Sequence, residues 1–210
     1  MSYFSETQID AIAEALVERG YLIADGFFPH QLVEDLRACF QHIDESQFKV
    51  AGIGRQSGFQ HQAEIRSDKI HWIEASAAVT AEFLEWMESL RLGLNQRLYL
   101  GLFDYESHFA HYPAGAFYKK HLDAFRSKRE QAQPNRILST VLYLNKDWLP
   151  VNGGNLVIYD EHGKQVLDSI LPLTGRLVVF LSEKFPHEVL PATRERRSIA
   201  GWFRVNERGF

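Results

Sequence analysis

Two short motifs hold side chains that can bind a metal ion together. His121 and Asp123 are separated by one residue, and His187 follows the strongly apolar segment Leu177–Leu181. On a β-strand, residues i and i+2 point to the same face, so this imidazole and carboxylate are expected to project into one cavity. Two histidines and one carboxylate form the facial ligand set of non-haem Fe(II) sites, which leaves three coordination positions open. An H-x-D pair alone is also common in surface turns, so the metal hypothesis depends on the surrounding residues.

The other histidines show a weaker pattern. His108 and His111 are three residues apart, so on one strand they point to opposite faces and are poorly placed to share a metal. His71 is followed by Trp72, which is typical of a packed or hydrogen-bonded imidazole. We expect none of these three histidines to bind the metal.

The motifs must be positioned by helices and strands. The sequence predicts helices in the N-terminal part of the chain and strands after it. Ser5 and Gln8 form a capping box that predicts a first helix, and Pro29 opens a second. Apolar residues at helical spacing between Val79 and Leu94 predict a third helix. Short runs rich in β-branched and aromatic residues then predict the strands of a sandwich or barrel. These runs are Arg97–Phe103, Ser107–Tyr112, Arg136–Leu144, Leu156–Tyr159, Leu177–Leu181 and Ser198–Val205.

The segment from Val50 to Asp68 contains three glycines and many polar residues. It offers little to bury, which predicts a long loop. Loops of this length are often lids or binding loops, so it is a candidate lid over the site. A passive surface loop is the alternative.

Composition limits the class of protein. The chain has 210 residues, of which 45% are hydrophobic and 24% charged, as in soluble globular domains. Its net charge of -4 argues against nucleic acid as the main partner. The single cysteine, Cys39, excludes an internal disulfide and a cysteine-based zinc cluster. With no apolar segment fit for a signal peptide or a membrane span, we expect a cytoplasmic protein without a membrane partner.

The metal motif lies within a longer family pattern. The segment Tyr112–Asp123 resembles the Y-x-x-G…Y-x-x-H-x-D pattern of prolyl 4-hydroxylases, which are Fe(II)- and 2-oxoglutarate-dependent dioxygenases. Three further stretches are similar to the hypoxia-sensing, EGL-nine-like branch of that family. They are Arg66–Glu74, Thr140–Trp148 with Gly153 and Gly154, and Pro186–Val189. The matches run in order over residues 66–205.

This resemblance implies a fold and an activity. The fold would be mainly β, a double-stranded β-helix (jelly roll) at 96–210 with N-terminal supporting helices and the lid loop at 1–95. Residues 1–210 would form a single dioxygenase domain. The activity would be hydroxylation of a prolyl residue in a protein, with Fe(II) as cofactor, 2-oxoglutarate and O2 as cosubstrates, and L-ascorbate as reductant.

The resemblance also implies a role for individual residues. The iron ligands, which are also the catalytic residues, would be His121, Asp123 and His187. The 2-oxoglutarate pocket would be formed by Tyr112, Tyr143, Arg196 and Trp202. The substrate side would be formed by Asp68 and Tyr118. Tyr143 would donate its hydroxyl to the distal carboxylate of 2-oxoglutarate, and Tyr112 would lie near its metal-binding end.

Two adjacent arginines, Arg196 and Arg197, are candidates for the cation that binds 2-oxoglutarate. An arginine suits a buried carboxylate because its planar fork binds both oxygens and stays charged. Counting back from Trp202 in the family pattern selects Arg196, and strand alternation places these two residues on one face. Arg197 would point to the other face. It remains the alternative, because a register read from sequence can slip by one residue.

The partner and two other functions remain open at this stage. The partner would be a protein with a target proline, and a component of the translation apparatus is one candidate, since related enzymes outside animals act there. One alternative is an oxygenase of the same fold that acts on a small molecule, which a small closed pocket would favour. The second alternative is a non-catalytic jelly roll, which would have no need for the full ligand and cosubstrate set.

Overall fold

The computed structural model describes residues 3–51, 64–124 and 135–206. In that part of the chain there are three α-helices, α1 (Glu6–Glu18), α2 (His30–His42) and α3 (Ala78–Leu98). The first seven strands are β1 (Tyr21–Ala24), β2 (Lys49–Val50), β3 (Lys69–Trp72), β4 (Asp104–Tyr112), β5 (Tyr118–His121), β6 (Asn135–Tyr143) and β7 (Leu156–Tyr159). The last four are β8 (Val166–Ile170), β9 (Leu177–Leu181), β10 (His187–Val189) and β11 (Arg196–Val205). Most of the predicted lid, residues 52–63, lies outside the described residues.

The three predicted helices are confirmed, and local signals explain where they start. Ser5 caps α1, with its hydroxyl accepting from the Gln8 amide while the Gln8 side chain accepts from the Ser5 amide. Pro29 directly precedes α2. The buried faces of all three helices pack in one apolar cluster with one face of the strands, which explains their helical spacing of apolar residues.

The predicted strand Arg97–Phe103 is wrong. Helix α3 continues to Leu98 and ends at Tyr99, which has a left-handed backbone (φ 52°). The Asn95 side chain then donates to the Leu102 carbonyl and accepts from its amide, which fixes the turn into β4. The apolar residues that suggested a strand belong to this helix end and turn, where tertiary contacts outweigh local propensity.

The strands form two antiparallel sheets. The larger has the order β1-β9-β6-β11-β4-β3-β2, and the smaller has the order β5-β10-β7-β8. The helices cover one face of the larger sheet, while its other face packs with the smaller sheet in a second apolar cluster. This arrangement confirms the predicted mainly β fold with N-terminal helices.

The N-terminal region contributes strands as well as helices. Strand β1 pairs with β9, and β3 pairs with β4, so both extend the larger sheet. The predicted boundary at residues 95/96 falls inside α3, and three strands of the larger sheet precede it. Among the described residues, no helix is long and apolar enough to cross a membrane.

Candidate active site

The three predicted metal ligands meet between two strands of the smaller sheet. His121 is the last residue of β5 and His187 the first of β10, and the two are paired across the ladder. Asp123 lies two residues beyond β5 rather than on it. One donor atom from each residue lies within 4.8 Å of the other two, and no other such group of three occurs among the described residues. Each histidine Nε2 is 3.6 Å from a carboxylate oxygen of Asp123.

Hydrogen bonds behind the three ligands fix their orientation. The Nδ1 atoms of His121 and His187 lie 2.8 Å and 3.0 Å from the backbone carbonyls of Lys119 and Phe185. A proton on each Nδ1 satisfies these carbonyls and leaves Nε2 free to bind a metal. Ser139 on β6 donates to Asp123 Oδ2 at 2.7 Å. The sequence analysis did not identify Ser139. It lies two residues before Val141 and four before Tyr143 on β6, so alternation places it on the face that they share, and this was the only sequence signal for it.

The local electrostatics keep Asp123 and His187 in the protonation states that a metal requires. Burial alone would raise the pKa of the Asp123 carboxyl, but His187 and His121 outweigh it and hold the pKa well below its usual range. Burial, with His121 nearby, lowers the pKa of His187 to about 4. At neutral pH the site therefore offers a carboxylate and a neutral imidazole.

A buried cation lies at the far end of the same cavity. Arg196 on β11 is 2% exposed, and its Nε donates to the Gly154 carbonyl at 2.9 Å. Its guanidinium lies 5.0 Å from the ring centroids of both Tyr112 and Tyr143. No described carboxylate forms an ion pair with Arg196. A buried cation with this environment is suited to an external carboxylate.

Tyr143 adds an unused hydroxyl next to that cation. The side chain is fully buried, and its hydroxyl makes no well-formed hydrogen bond with any described residue. Burial raises the pKa of Tyr143, so the hydroxyl keeps its proton and remains a donor. Arg197 points to the opposite face, where it pairs with Glu195 at 2.6 Å and lies over the Phe40 ring.

The predicted substrate residues Asp68 and Tyr118 are linked by an arginine. Asp68 is fully buried and accepts two hydrogen bonds from Arg66, at 2.6 Å and 2.9 Å. Arg66 lines the cavity and lies over the Tyr118 ring at 4.6 Å. The Tyr118 ring in turn stacks on His121, with centroids 3.5 Å apart. Asp68 thus acts on the site through Arg66. The sequence analysis gave Arg66 no role of its own and named it only as the first residue of the stretch Arg66–Glu74.

Trp202 lies at the other side of the cavity and carries a second cation on its face. The Arg136 guanidinium is 3.6 Å from the Trp202 ring centroid and pairs with Glu106 at 2.8 Å. The indole N–H is buried without a hydrogen-bond partner in the described part of the chain. The sequence predicted for Arg136 only a place at the start of a strand, not a role in the site.

The donor set fits a divalent metal of the Fe(II) class. Imidazole nitrogen and carboxylate oxygen are ligands that Fe(II), Mn(II) and Co(II) accept, and three protein donors on one side leave room for other ligands. Arg196, which has no carboxylate partner among the described residues, and the adjacent Tyr143 hydroxyl fit the distal carboxylate of 2-oxoglutarate. A second cavity, between α2, β3 and α3, is larger, but the described residues form no such ligand group there.

Comparisons with known proteins agree with this site. The sequence profile of the 2OG-Fe(II) oxygenase superfamily matches residues 107–204. The crystal structure of a Pseudomonas putida prolyl-4-hydroxylase is 41% identical, with a TM-score of 0.82, and the match covers 96% of this chain and 100% of that one. A prolyl hydroxylase from Trichoplax adhaerens, solved with a hypoxia inducible factor peptide fragment, is 25% identical with a TM-score of 0.79 over 95% and 90% of the two chains.

Curated relatives show the same relationship. A hypoxia-inducible factor prolyl hydroxylase of Caenorhabditis elegans is 30% identical over 90% of this chain but only 23% of its own length. Human Egl nine homolog 1 is 30% identical over 93% of this chain and 46% of its own length. This chain therefore spans less than half of either relative.

The fold and the His-Asp-His group are those of the 2-oxoglutarate- and Fe(II)-dependent oxygenase superfamily, whose core is a double-stranded β-helix. Within that superfamily, the chain belongs to the prolyl hydroxylase family.

Proposed function

We propose that this chain is a dioxygenase that hydroxylates a prolyl residue in a protein substrate, with 2-oxoglutarate and O2 consumed and succinate and CO2 released. The observation that carries the proposal is one cavity that holds both the metal-binding group and the buried Arg196 beside Tyr143. A protein that only binds a ligand has no need for both. L-ascorbate as reductant and a single domain over the whole chain are parts of the same proposal.

Each residue of the site has a definable task. His121, Asp123 and His187 would hold Fe(II), which when bound supplies the oxidative chemistry with 2-oxoglutarate and O2. Arg196 and Tyr143 would bind the distal carboxylate and so orient the other end of the cosubstrate toward the metal. Tyr112, paired with Arg196 across β4 and β11, would line the path between these two ends. Ser139 would keep Asp123 in place, and the buried walls would exclude water.

A peptide substrate is supported by the relatives and by the cavity mouth. The Pseudomonas putida and Trichoplax adhaerens proteins are both prolyl hydroxylases, and the latter was solved with a peptide. Tyr118 and Trp202 line the cavity, and so does Arg66, which is fixed there by Asp68. Aromatic rings with adjacent hydrogen-bond donors are suited to a prolyl ring and its neighbouring peptide carbonyls. A component of the translation apparatus is the candidate protein partner.

The test is hydroxylation of proline in cellular proteins. Fe(II)-loaded protein, 2-oxoglutarate and O2 would be added to a proteome from cells lacking the gene, with His187→Ala as the control. We expect a prolyl peptide that gains one oxygen atom with the wild type only, together with succinate in equal amount. Succinate production that responds to small molecules, with no oxygen gained by any protein, would favour the small-molecule oxygenase instead. If the folded protein binds neither 2-oxoglutarate nor metal in any assay, the non-catalytic jelly roll is favoured.

A further inference from the structure

A buried histidine faces the cavity and has no hydrogen-bond partner in the described part of the chain. His108 on β4 is 2% exposed, and neither ring nitrogen has a hydrogen-bond partner among the described residues. It lines the same cavity as the three metal ligands. His111 on the same strand points to the opposite face, where it pairs with Glu195 at 2.6 Å. The predicted opposite orientation of these two histidines is confirmed, and it is what turns His108 toward the site.

Strand pairing places His108 close to the metal end of the cavity. His108 is opposite Ala200 of β11, which is opposite Val141 of β6. The next inward-facing pair, farther from Arg196 along β11, is Trp202 with Ser139, the residue that donates to Asp123.

The opposite end of the cavity is too distant to give His108 its partner. Tyr112, which pairs with Arg196, is four residues from His108 along β4, or about 13 Å. A carboxylate bound by Arg196 is therefore out of reach of the His108 ring. The partner that we infer lies in the part of the cavity nearer the metal ligands.

The surroundings of His108 fix its ring and its charge. Trp72 and Trp202 enclose it, with ring centroids at 5.2 Å and 5.3 Å. Burial, Arg66 and Arg136 lower the pKa of His108 well below its usual value, against a smaller opposite effect of Asp123. The imidazole is therefore neutral and offers one donor and one acceptor. A buried polar group without a hydrogen-bond partner is unfavourable, so a molecule in the cavity that supplies a partner is favoured.

We propose that His108 is a positioning residue that hydrogen-bonds an oxygen ligand of the metal which the protein itself does not supply. The oxygen belongs to water or to the metal-binding end of the cosubstrate, both of which occupy positions left open by His121, Asp123 and His187. His108 is not a fourth metal ligand, because it lies outside the group of three that share one metal position. The inference rests on the proposed function, since it requires the metal and the cosubstrate.

The test uses the Co(II)-loaded protein, because Co(II) absorption reports coordination number without turnover. Wild type is compared with His108→Leu, which removes both ring nitrogens, and with His108→Gln, which keeps a donor and an acceptor. His111→Leu is the matched control on the outer face of the same strand. His108→Phe serves as a second apolar variant that keeps an aromatic ring between the two tryptophans.

We expect the visible Co(II) bands of His108→Leu and His108→Phe to shift toward the more intense pattern of a lower coordination number. His108→Gln should restore most of the wild-type spectrum, and His111→Leu should match it. A shift without 2-oxoglutarate identifies water as the partner, and a shift only with 2-oxoglutarate identifies the cosubstrate.

Three results would overturn the inference. Spectra that are the same in all folded variants, with and without 2-oxoglutarate, would show that His108 contacts no ligand of the metal. Loss of Co(II) affinity in His108→Leu as large as in His187→Ala would show a direct ligand instead. A wild-type protein that binds neither Co(II) nor 2-oxoglutarate would overturn the proposed function itself, which separates this failure from the other two.

Discussion

At the level of single residues, the two neighbouring arginines on β11 differ because their side chains point to opposite faces of the strand. Arg196 is buried beside two tyrosine rings, whereas Arg197 reaches the opposite face and pairs with Glu195. Alternation along the strand predicted this difference from sequence. What alternation did not provide was the environment that makes Arg196 suitable for a carboxylate, since the Gly154 carbonyl comes from another part of the chain.

Replacement of the two arginines should have very different effects on cosubstrate affinity. A hydrogen bond to a charged group contributes about 1.5–3 kcal/mol, so Arg196→Ala should weaken 2-oxoglutarate binding about 10- to 100-fold or more. Arg197→Ala should leave the affinity within about twofold. Calorimetric titration of the Mn(II)-loaded proteins measures both. A larger effect of Arg197→Ala would contradict the assignment of the cation.

Removal of the Tyr143 hydroxyl should have opposite effects on binding and on stability. A neutral hydrogen bond contributes about 0.5–1.5 kcal/mol, so Tyr143→Phe should weaken 2-oxoglutarate binding about 2- to 10-fold. The free protein should keep or raise its Tm, because the buried hydroxyl makes no well-formed hydrogen bond with a described residue that the substitution would break. Tyr159→Phe is the control, since that hydroxyl donates to Glu188. Unchanged affinity in Tyr143→Phe would show that the hydroxyl does not contact the cosubstrate.

At the scale of elements, the strands carry the site, and the central strand β11 depends on a glycine. A Cβ at Gly201 would overlap with the ring and hydroxyl of Tyr105 on β4. That tyrosine packs against Phe203 and hydrogen-bonds Thr140, so it has little room to move. The larger sheet therefore relies on this close approach between two paired strands.

Gly201→Ala should destabilise the protein by about 1–3 kcal/mol, the usual range for overpacking in a core. The matched variant is Tyr105→Ala/Gly201→Ala, in which the overlapping ring is absent. Denaturant unfolding of the two single variants and the double variant should show a total loss smaller than the sum of the single losses. Additive losses would show that the clash with Tyr105 is not the cause.

The sequence predicted the apolar elements well and the polar ones poorly. Strands β7 and β9 were predicted to the residue, because both are buried runs of branched and aromatic side chains. Strands β8 and β10 were missed, since β8 is mostly exposed and β10 has only three residues. Their strand conformation comes from pairing with β7, which is a tertiary effect that local patterns do not contain.

The same limit applies to the site. The motif residues His121, Asp123 and His187 were found because their types and spacing are characteristic. Ser139 and His108 were not, because their importance depends on which strand lies opposite them. Polar residues at inward-facing positions of predicted core strands were the only sequence signal for both.

At the scale of the whole molecule, the buried histidines link the site to the stability of the fold. An unfolded histidine titrates near pH 6.5, whereas burial keeps His108 neutral at lower pH in the folded state. Below that pH the unfolded chain binds more protons than the folded one. Stability of the metal-free protein is therefore lost as the pH falls, approaching about 1.4 kcal/mol per pH unit for each such histidine.

His108→Leu should reduce this pH dependence. The Tm of the metal-free wild type should fall more between pH 7.5 and 5.5 than the Tm of the variant, because the variant lacks one histidine that must stay neutral to fold. His187, with a pKa of about 4, contributes equally to both proteins, so the difference isolates His108. Equal slopes in thermal unfolding across this range would show that His108 is protonated in the folded state.

An anaerobic titration of the Fe(II)-loaded protein with 2-oxoglutarate, followed by the visible charge-transfer band of the chelate, tests whether one cavity binds both the metal and 2-oxoglutarate. It needs no knowledge of the protein substrate. We expect a band that saturates in the wild type, needs about 10- to 100-fold more 2-oxoglutarate in Arg196→Ala, and is absent in His187→Ala. A folded, iron-loaded wild type that develops no band, or a His187→Ala variant that develops the same band, would contradict it.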